Sequence, residues 1–121
     1  MAKKIKKTNP ALVSLIHELK KQAKEKDANI WKDIALRLEK PSNNWPVVNL
    51  NRISKYTNDK ETALIPGKVL SDGELTKKIS IAAWSFSGKS QEKIKKAGGK
   101  YMTIEELIKS NPDGKDIRIL G

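Results

Sequence analysis

Cysteine is absent from the 121 residues, which excludes a disulfide framework, a cysteine-ligated zinc finger and a thiol nucleophile. Such a composition suits a reducing cytoplasm. Histidine occurs once, at His17, beside the apolar face of an expected helix and with no acidic or cysteine partner at ligand spacing. A solvated or partly packed side chain is the reading there, rather than a metal ligand or catalytic base. No apolar run approaches the length of a membrane span. The apolar cluster at 12–16, behind a basic N-terminus, is too short and too broken for a signal peptide. Aromatic residues are only 5% of the chain, so its core must be built mainly from Ile, Leu, Val and Ala. Arginine is scarce too, standing only at positions 37, 52 and 118.

Lysine is what the chain has in excess. Lys and Arg number 25 against 14 Asp and Glu, for a net charge of +11 on 13.6 kDa and a pI near 9.9. That much self-repulsion is relieved by a polyanion, and nucleic acid is the leading candidate. Of the 25 basic residues 22 are lysine. Lysine is a mobile point charge suited to phosphate, whereas bidentate reading of a base edge favours arginine. The balance points to folded nucleic acid bound by backbone and shape, not to a sequence-reading DNA regulator.

Two regions are expected: a basic tail over 1–8 and a single domain over 9–121. Lys3, Lys4, Lys6 and Lys7 share the tail with one apolar residue, Ile5. Alone, such a segment is disordered and orders on a polyanion; the plainer alternative is a solvated terminus. Asn9-Pro10 starts a first helix, with Asn as cap and Pro in its first turn. Leu12, Leu15, Ile16, Leu19 and Ala23 share one face of it, and Lys20, Lys21, Lys24 and Lys26 gather toward its end, where they also suit the helix dipole. Asp27 is expected to cap a second helix carrying Ile30, Ile34, Ala35 and Leu38, which Lys40-Pro41 ends. Trp31 and Trp45 read as packing residues, with base stacking as the alternative.

Val47-Val48 predicts a short strand, Asn49 a cap, and Leu50 with Ile53 a helical turn carrying Arg52 and Lys55. A strand over 63–70 is interrupted at Pro66-Gly67. A turn at 71–74 then leads to the most apolar run in the chain, 79–86, and those two strands are expected to pair as a hairpin. Ser87 caps the helix that follows, whose Ile94 and Ala97 form an apolar stripe and which Gly98-Gly99 stops. Tyr101-Met102 predicts another brief strand, and Thr103 to Glu106 a capping box for a helix ended by Asn111-Pro112. A last strand spans 117–120. The pattern apolar, cap, apolar, polar, polar, apolar occurs at both 48–53 and 102–107, suggesting two related strand-helix units. Together these elements predict an α/β fold with two N-terminal helices, closer to an irregular stack than to a regular doubly wound sheet.

Gly88-Lys89-Ser90 lies between a strand and a helix, where a phosphate-binding loop would end. That loop requires a glycine five positions earlier, and Ala83 stands there. No acidic residue ends an apolar strand where magnesium would be held. A nucleotide-binding or phosphotransfer enzyme is therefore the weaker reading, and a helix start whose free amides and Lys89 attract RNA phosphate is the stronger. A membrane-surface protein is disfavoured because no helix pairs a lysine face with large aromatics.

Leu38, the run Val47-Val48-Asn49-Leu50-Asn51-Arg52-Ile53, Phe86-Ser87, Ile94 and Ala97-Gly98-Gly99-Lys100 resemble the archaeal and eukaryotic large-subunit ribosomal protein L-eighteen-e family, kin to bacterial ribosomal protein L-fifteen. The resemblance covers 9–121. It implies an irregular stack of strand-strand-helix units with two N-terminal helices, lying on large-subunit ribosomal RNA in the cytoplasm, with neighbouring ribosomal proteins as further partners. It implies no enzyme activity. Trp45, where the family often has a basic residue, and Ser90, where alanine is usual, depart from the pattern. No cofactor is expected, no membrane, and a monomer when free. Candidate RNA contacts are Lys3, Lys4, Lys6, Lys7, Arg52, Lys55, Lys60, Lys68, Ser87 and Lys89.

Overall fold

The computed structural model describes residues 9–41, 44–58 and 60–120; the tail with Lys3, Lys4, Lys6 and Lys7 lies outside them. Helix α1 (Pro10–Glu25) begins as its sequence requires: the Asn9 side chain accepts from the backbone N–H of Ala11 at 2.9 Å and from that of Leu12. Its buried face is Leu12, Leu15, Ile16 and Leu19. Helix α2 (Asn29–Glu39) packs against it with Trp31, Ile34, Ala35 and Leu38. The expected cap at Asp27 is not formed. Asp27 takes a left-handed conformation, with φ of 50°, and Ala28 holds the cap position without a side-chain bond. The chain must reverse within the few residues after Glu25, and Asp is one of the few residues that tolerate the left-handed region.

Among the described residues, five strands form one parallel sheet: β1 (Val47–Asn49), β2 (Thr62–Leu70), β3 (Ser80–Phe86), β4 (Lys100–Thr103) and β5 (Ile117–Ile119). β2 and β3 are central, with β4 beyond β3. Two short strands line up end to end along the other side of β2: β5 pairs with 62–64 and β1 with 68–70. Between those stretches the β2–β3 register shifts at Pro66-Gly67, where proline has no N–H for a ladder. β2 thus continues through the interruption that its sequence suggests.

The expected hairpin is also corrected. Thr62 pairs with Ser80 and Leu64 with Ala82, so β2 and β3 are parallel. The turn after Leu70 opens a return segment that runs back over helix α3 (Leu50–Tyr56) without forming a helix. Leu75 is buried in the core there. The Thr76 N–H donates to Ser54 Oγ, and Lys77 Nζ donates to the carbonyl of Thr57 at 3.3 Å. Parallel strands usually need a longer crossover with its own helix. Here α3 already covers the sheet and supplies polar partners, so an extended return suffices.

Side chains alternate between two cores. Leu64 and Ala82 join α1, α2 and helix α5 (Ile104–Ser110) on one face. Ala63, Ile65, Ile81 and Ala83 join α3 and helix α4 (Gly88–Lys96) on the other. Burial on both faces is what a parallel sheet produces. β1, β3 and β4 each run into a helix through one residue, Asn49, Ser87 or Thr103. The repeated pattern at 48–53 and 102–107 is β1–α3 and β4–α5. Because the strands are parallel, all three helices start at the same end of the sheet.

Candidate nucleic-acid interface

At the carboxyl end of the sheet, Ser87 accepts the Ser90 N–H on its hydroxyl at 3.2 Å, capping α4 as expected. Ser90 is fully buried, and its hydroxyl donates to the carbonyls of Ser87 at 2.7 Å and Val69 at 3.4 Å. Lys89, in the same first turn, is exposed. A groove there is lined by Asn49, Ser71, Asp72, Ser87, Gly88 and Lys89. Asn49 closes one side in an unexpected way: its side chain accepts the Asp72 N–H at 3.3 Å instead of capping α3. Lys93 holds the other side, with Nζ donating to the carbonyls of Ser71 and Gly73 at 2.9 Å each. Lys93 is therefore a structural cation.

This geometry leaves nothing of a nucleotide site. A single residue joins β3 to α4, so no wide loop exists to wrap a triphosphate. The hydroxyl that would face a metal is buried in Ser90 against two carbonyls. Among the described residues no group of His, Asp and Glu could hold a metal ion.

Helix α3 turns Leu50 and Ile53 inward and leaves Arg52 and Lys55 exposed. Among the described residues no carboxylate pairs with Arg52, Lys55, Lys60, Lys68 or Lys89; the ion pairs there engage Lys20, Arg37, Lys93, Lys109 and Arg118. Lys60 lies far from the groove, in the turn before β2. Its neighbour Glu61 accepts the Asn58 N–H, and that bond, with the Arg118 guanidinium alongside, holds the Glu61 carboxyl below the usual range. Lys68 is exposed on β2, and since Val69 enters the α3/α4 core, Lys68 faces the opposite way. The structure thus places Arg52, Lys55, Ser87 and Lys89 on one face of the sheet, with Lys60 and Lys68 elsewhere.

Charge is unevenly divided between the two faces. Residues 50–58, 71–79 and 87–98, which build the α3/α4 layer, hold eight Lys and Arg against three Asp and Glu. Residues 9–40 and 104–116, which build the α1/α2/α5 layer, hold nine against nine. The lysines gathered near the end of α1 belong to this balanced layer, and one of them, Lys20, pairs with Glu39 at 2.7 Å.

The tryptophans are packing residues. Trp31 is 0% exposed and donates its indole N–H to the Pro112 carbonyl at 2.8 Å. Trp45 donates to the Lys40 carbonyl and meets Trp84 edge-on, with ring centroids 5.9 Å apart. Among the described residues the exposed aromatic is Tyr56, which sequence reasoning passed over. Its place four residues after Arg52 on one helical turn was the available signal.

Comparison with known proteins gives a consistent result. The family model described as ribosomal protein 60S L18 and 50S L18e matches residues 1–121. The chain is 42% identical over 120 residues to large ribosomal subunit protein eL18 of Methanothermobacter thermautotrophicus, covering 99% of each chain. It is 47% identical over 120 residues to that of Methanoregula boonei, again covering 99% of each. Identity to that of Halobacterium salinarum is 45% over 114 residues, 94% of this chain and 97% of the relative.

Proposed function

The chain belongs to the ribosomal protein 60S L18 and 50S L18e family, and on that premise we propose that it binds large-subunit ribosomal RNA through the lysine-rich face formed by α3 and α4. Its family makes it a structural constituent of the large ribosomal subunit, in the cytoplasm, and not an enzyme. The observation that carries the RNA-binding reading is the division of charge: eight cations against three anions over one face, nine against nine over the other. Self-repulsion concentrated on one face is relieved when that face lies on a polyanion.

Arg52, Lys55 and Lys89 supply point charges to phosphate oxygens, and the Ser87-capped start of α4 offers backbone amides beside Lys89. Lysine dominates, so contacts read backbone and shape rather than sequence. Lys3, Lys4, Lys6 and Lys7 add further contacts to phosphate, while Lys60 and Lys68 meet phosphates away from the α3/α4 face. Neighbouring ribosomal proteins pack on the remaining surface, and the free chain is a monomer.

The test is filter binding to a large-subunit ribosomal RNA fragment, comparing two triple variants of equal charge change. Arg52→Ala with Lys55→Ala and Lys89→Ala should weaken binding by roughly ten- to hundred-fold at moderate salt, as expected for several lost phosphate contacts. Lys21→Ala with Lys24→Ala and Lys32→Ala, on the balanced face, should change it far less. Equal losses from both triples would defeat the assignment of the face.

A further inference from the structure

We infer that Tyr56 is a stacking platform for an unpaired RNA base, with Arg52 and Lys55 taking the phosphates on either side of it. This rests on the RNA-binding reading above and deepens it, because that reading concerns phosphates alone.

Helix α3 has seven residues, and its buried positions are Leu50, Ile53 and Ser54. Arg52, Lys55 and Tyr56 stand at i, i+3 and i+4, the spacing of neighbours on one helix face. Tyr56 is 51% exposed, one of three exposed large hydrophobic residues among those described, and the next residue, Thr57, turns back into the protein. Tyr56 is not needed to seal the core there.

The surroundings of the ring decide its partner. Lys55 Nζ lies 5.4 Å from the ring centroid, and Arg52 sits one turn earlier. Among the described residues neither cation has a carboxylate partner. An apolar protein surface covering this ring would strip water from two unpaired cations, which is costly. A nucleotide satisfies all three groups, since a base has a flat face for the ring and its flanking phosphates are anions for the cations. A paired base in an A-form helix hides that face, so the ligand is an unpaired nucleotide in a loop, bulge or end.

The experiment uses the full chain and two probes: a twelve-nucleotide oligoadenylate carrying a central 2-aminopurine, and a fully paired RNA duplex of twelve base pairs. Tyr56→Ala should lose roughly tenfold in affinity for the single strand and abolish the quenching of 2-aminopurine that the wild type produces. It should leave duplex affinity and the salt dependence unchanged, because no charge is removed. Tyr56→Phe should behave as wild type, since the ring and not the hydroxyl makes the contact. Lys55→Ala should instead lower the salt slope by about 0.7 to 0.9. Single-strand binding by Tyr56→Ala as tight as wild type, or an equal loss on the duplex, overturns the stacking role. A wild-type chain that binds neither probe defeats the RNA-binding reading itself, and the stacking role with it.

Discussion

At Gly98 the backbone has a φ of 79°, whereas at Gly99, one residue on, an added Cβ would stand 2.5 Å from the carbonyl oxygen of Ile79. The first position is a matter of backbone conformation and the second of space. Near Gly98 a Cβ meets only the flexible Lys78 side chain, so Gly98→Ala should cost about 1–2 kcal/mol from left-handed strain alone, and Gly98→Asn less. At Gly99 the obstacle is the backbone leading into β3, where Lys100 N–H bonds to Ile79. Gly99→Ala and Gly99→Asn should therefore both lower the thermal midpoint more than their Gly98 counterparts. If asparagine rescues Gly99 as well as it does Gly98, the close approach is not what requires glycine. Ser90 offers a milder contrast. Both its acceptors have another donor, Val69 from the Ser87 N–H and Ser87 from the Gln91 N–H. Ser90→Ala should therefore cost no more than about 1 kcal/mol and leave RNA affinity unchanged. A marked loss of affinity would revive a ligand role for that hydroxyl.

The helices that follow the strands depend on their first turns. Thr103 closes a capping box on α5: its hydroxyl accepts the Glu106 N–H at 3.1 Å, and the Glu106 carboxylate accepts the Thr103 N–H at 3.2 Å. Beneath this cap, α5 buries Ile104, Leu107 and Ile108 against α1 and α2. Thr103→Ala should cost about 1 kcal/mol, and Thr103→Ser much less, in chemical denaturation followed by circular dichroism. Equal stability of all three proteins would mean that packing alone sets the start of α5. This cap was legible in the sequence because each of its partners lies within three residues. The same is true of Asn9 and Ser87. Asn49 occupies an equivalent position, yet its side chain reaches Asp72, 23 residues away. No local pattern announces such a partner.

The net charge of +11 sets how the whole molecule should respond to salt. If several lysines each release a counterion, log affinity should fall linearly with log salt, by roughly 0.7 to 0.9 for every phosphate contacted. A slope of several units is expected for the wild type, and the Arg52, Lys55 and Lys89 triple should lower it by about two to three. Sequence changes in the paired regions of the RNA should matter little. A flat salt response would remove electrostatic docking as the basis of binding. At this scale the sequence specifies the strength of the positive charge but not where it concentrates. Arg52, Lys55 and Lys89 lie 37 positions apart at their extremes and share a face only because α3 and α4 cover the same side of the sheet. Lys60 and Lys68 are closer to Lys55 in the chain, yet one lies before β2 and the other turns to the opposite face.

What the sequence alone determined is what short-range chemistry can specify: the caps at Asn9, Ser87 and Thr103, the helix stop at Gly98-Gly99, the apolar strands, and a lysine excess that calls for a polyanion. Tertiary structure decided how the strands pair. From sequence, 63–70 and 79–86 separated by a turn read as a hairpin, but the return segment gains burial for Leu75 and acceptors for its donors at Ser54 and Thr57 by running back over α3. Strand direction is thus fixed by contacts roughly twenty residues apart in the chain. Tertiary structure also decided which cations remain unpaired and that Tyr56 stays exposed while Trp31 is buried. Those outcomes depend on what each side chain meets across the fold, and local patterns extend only a turn or two along the chain.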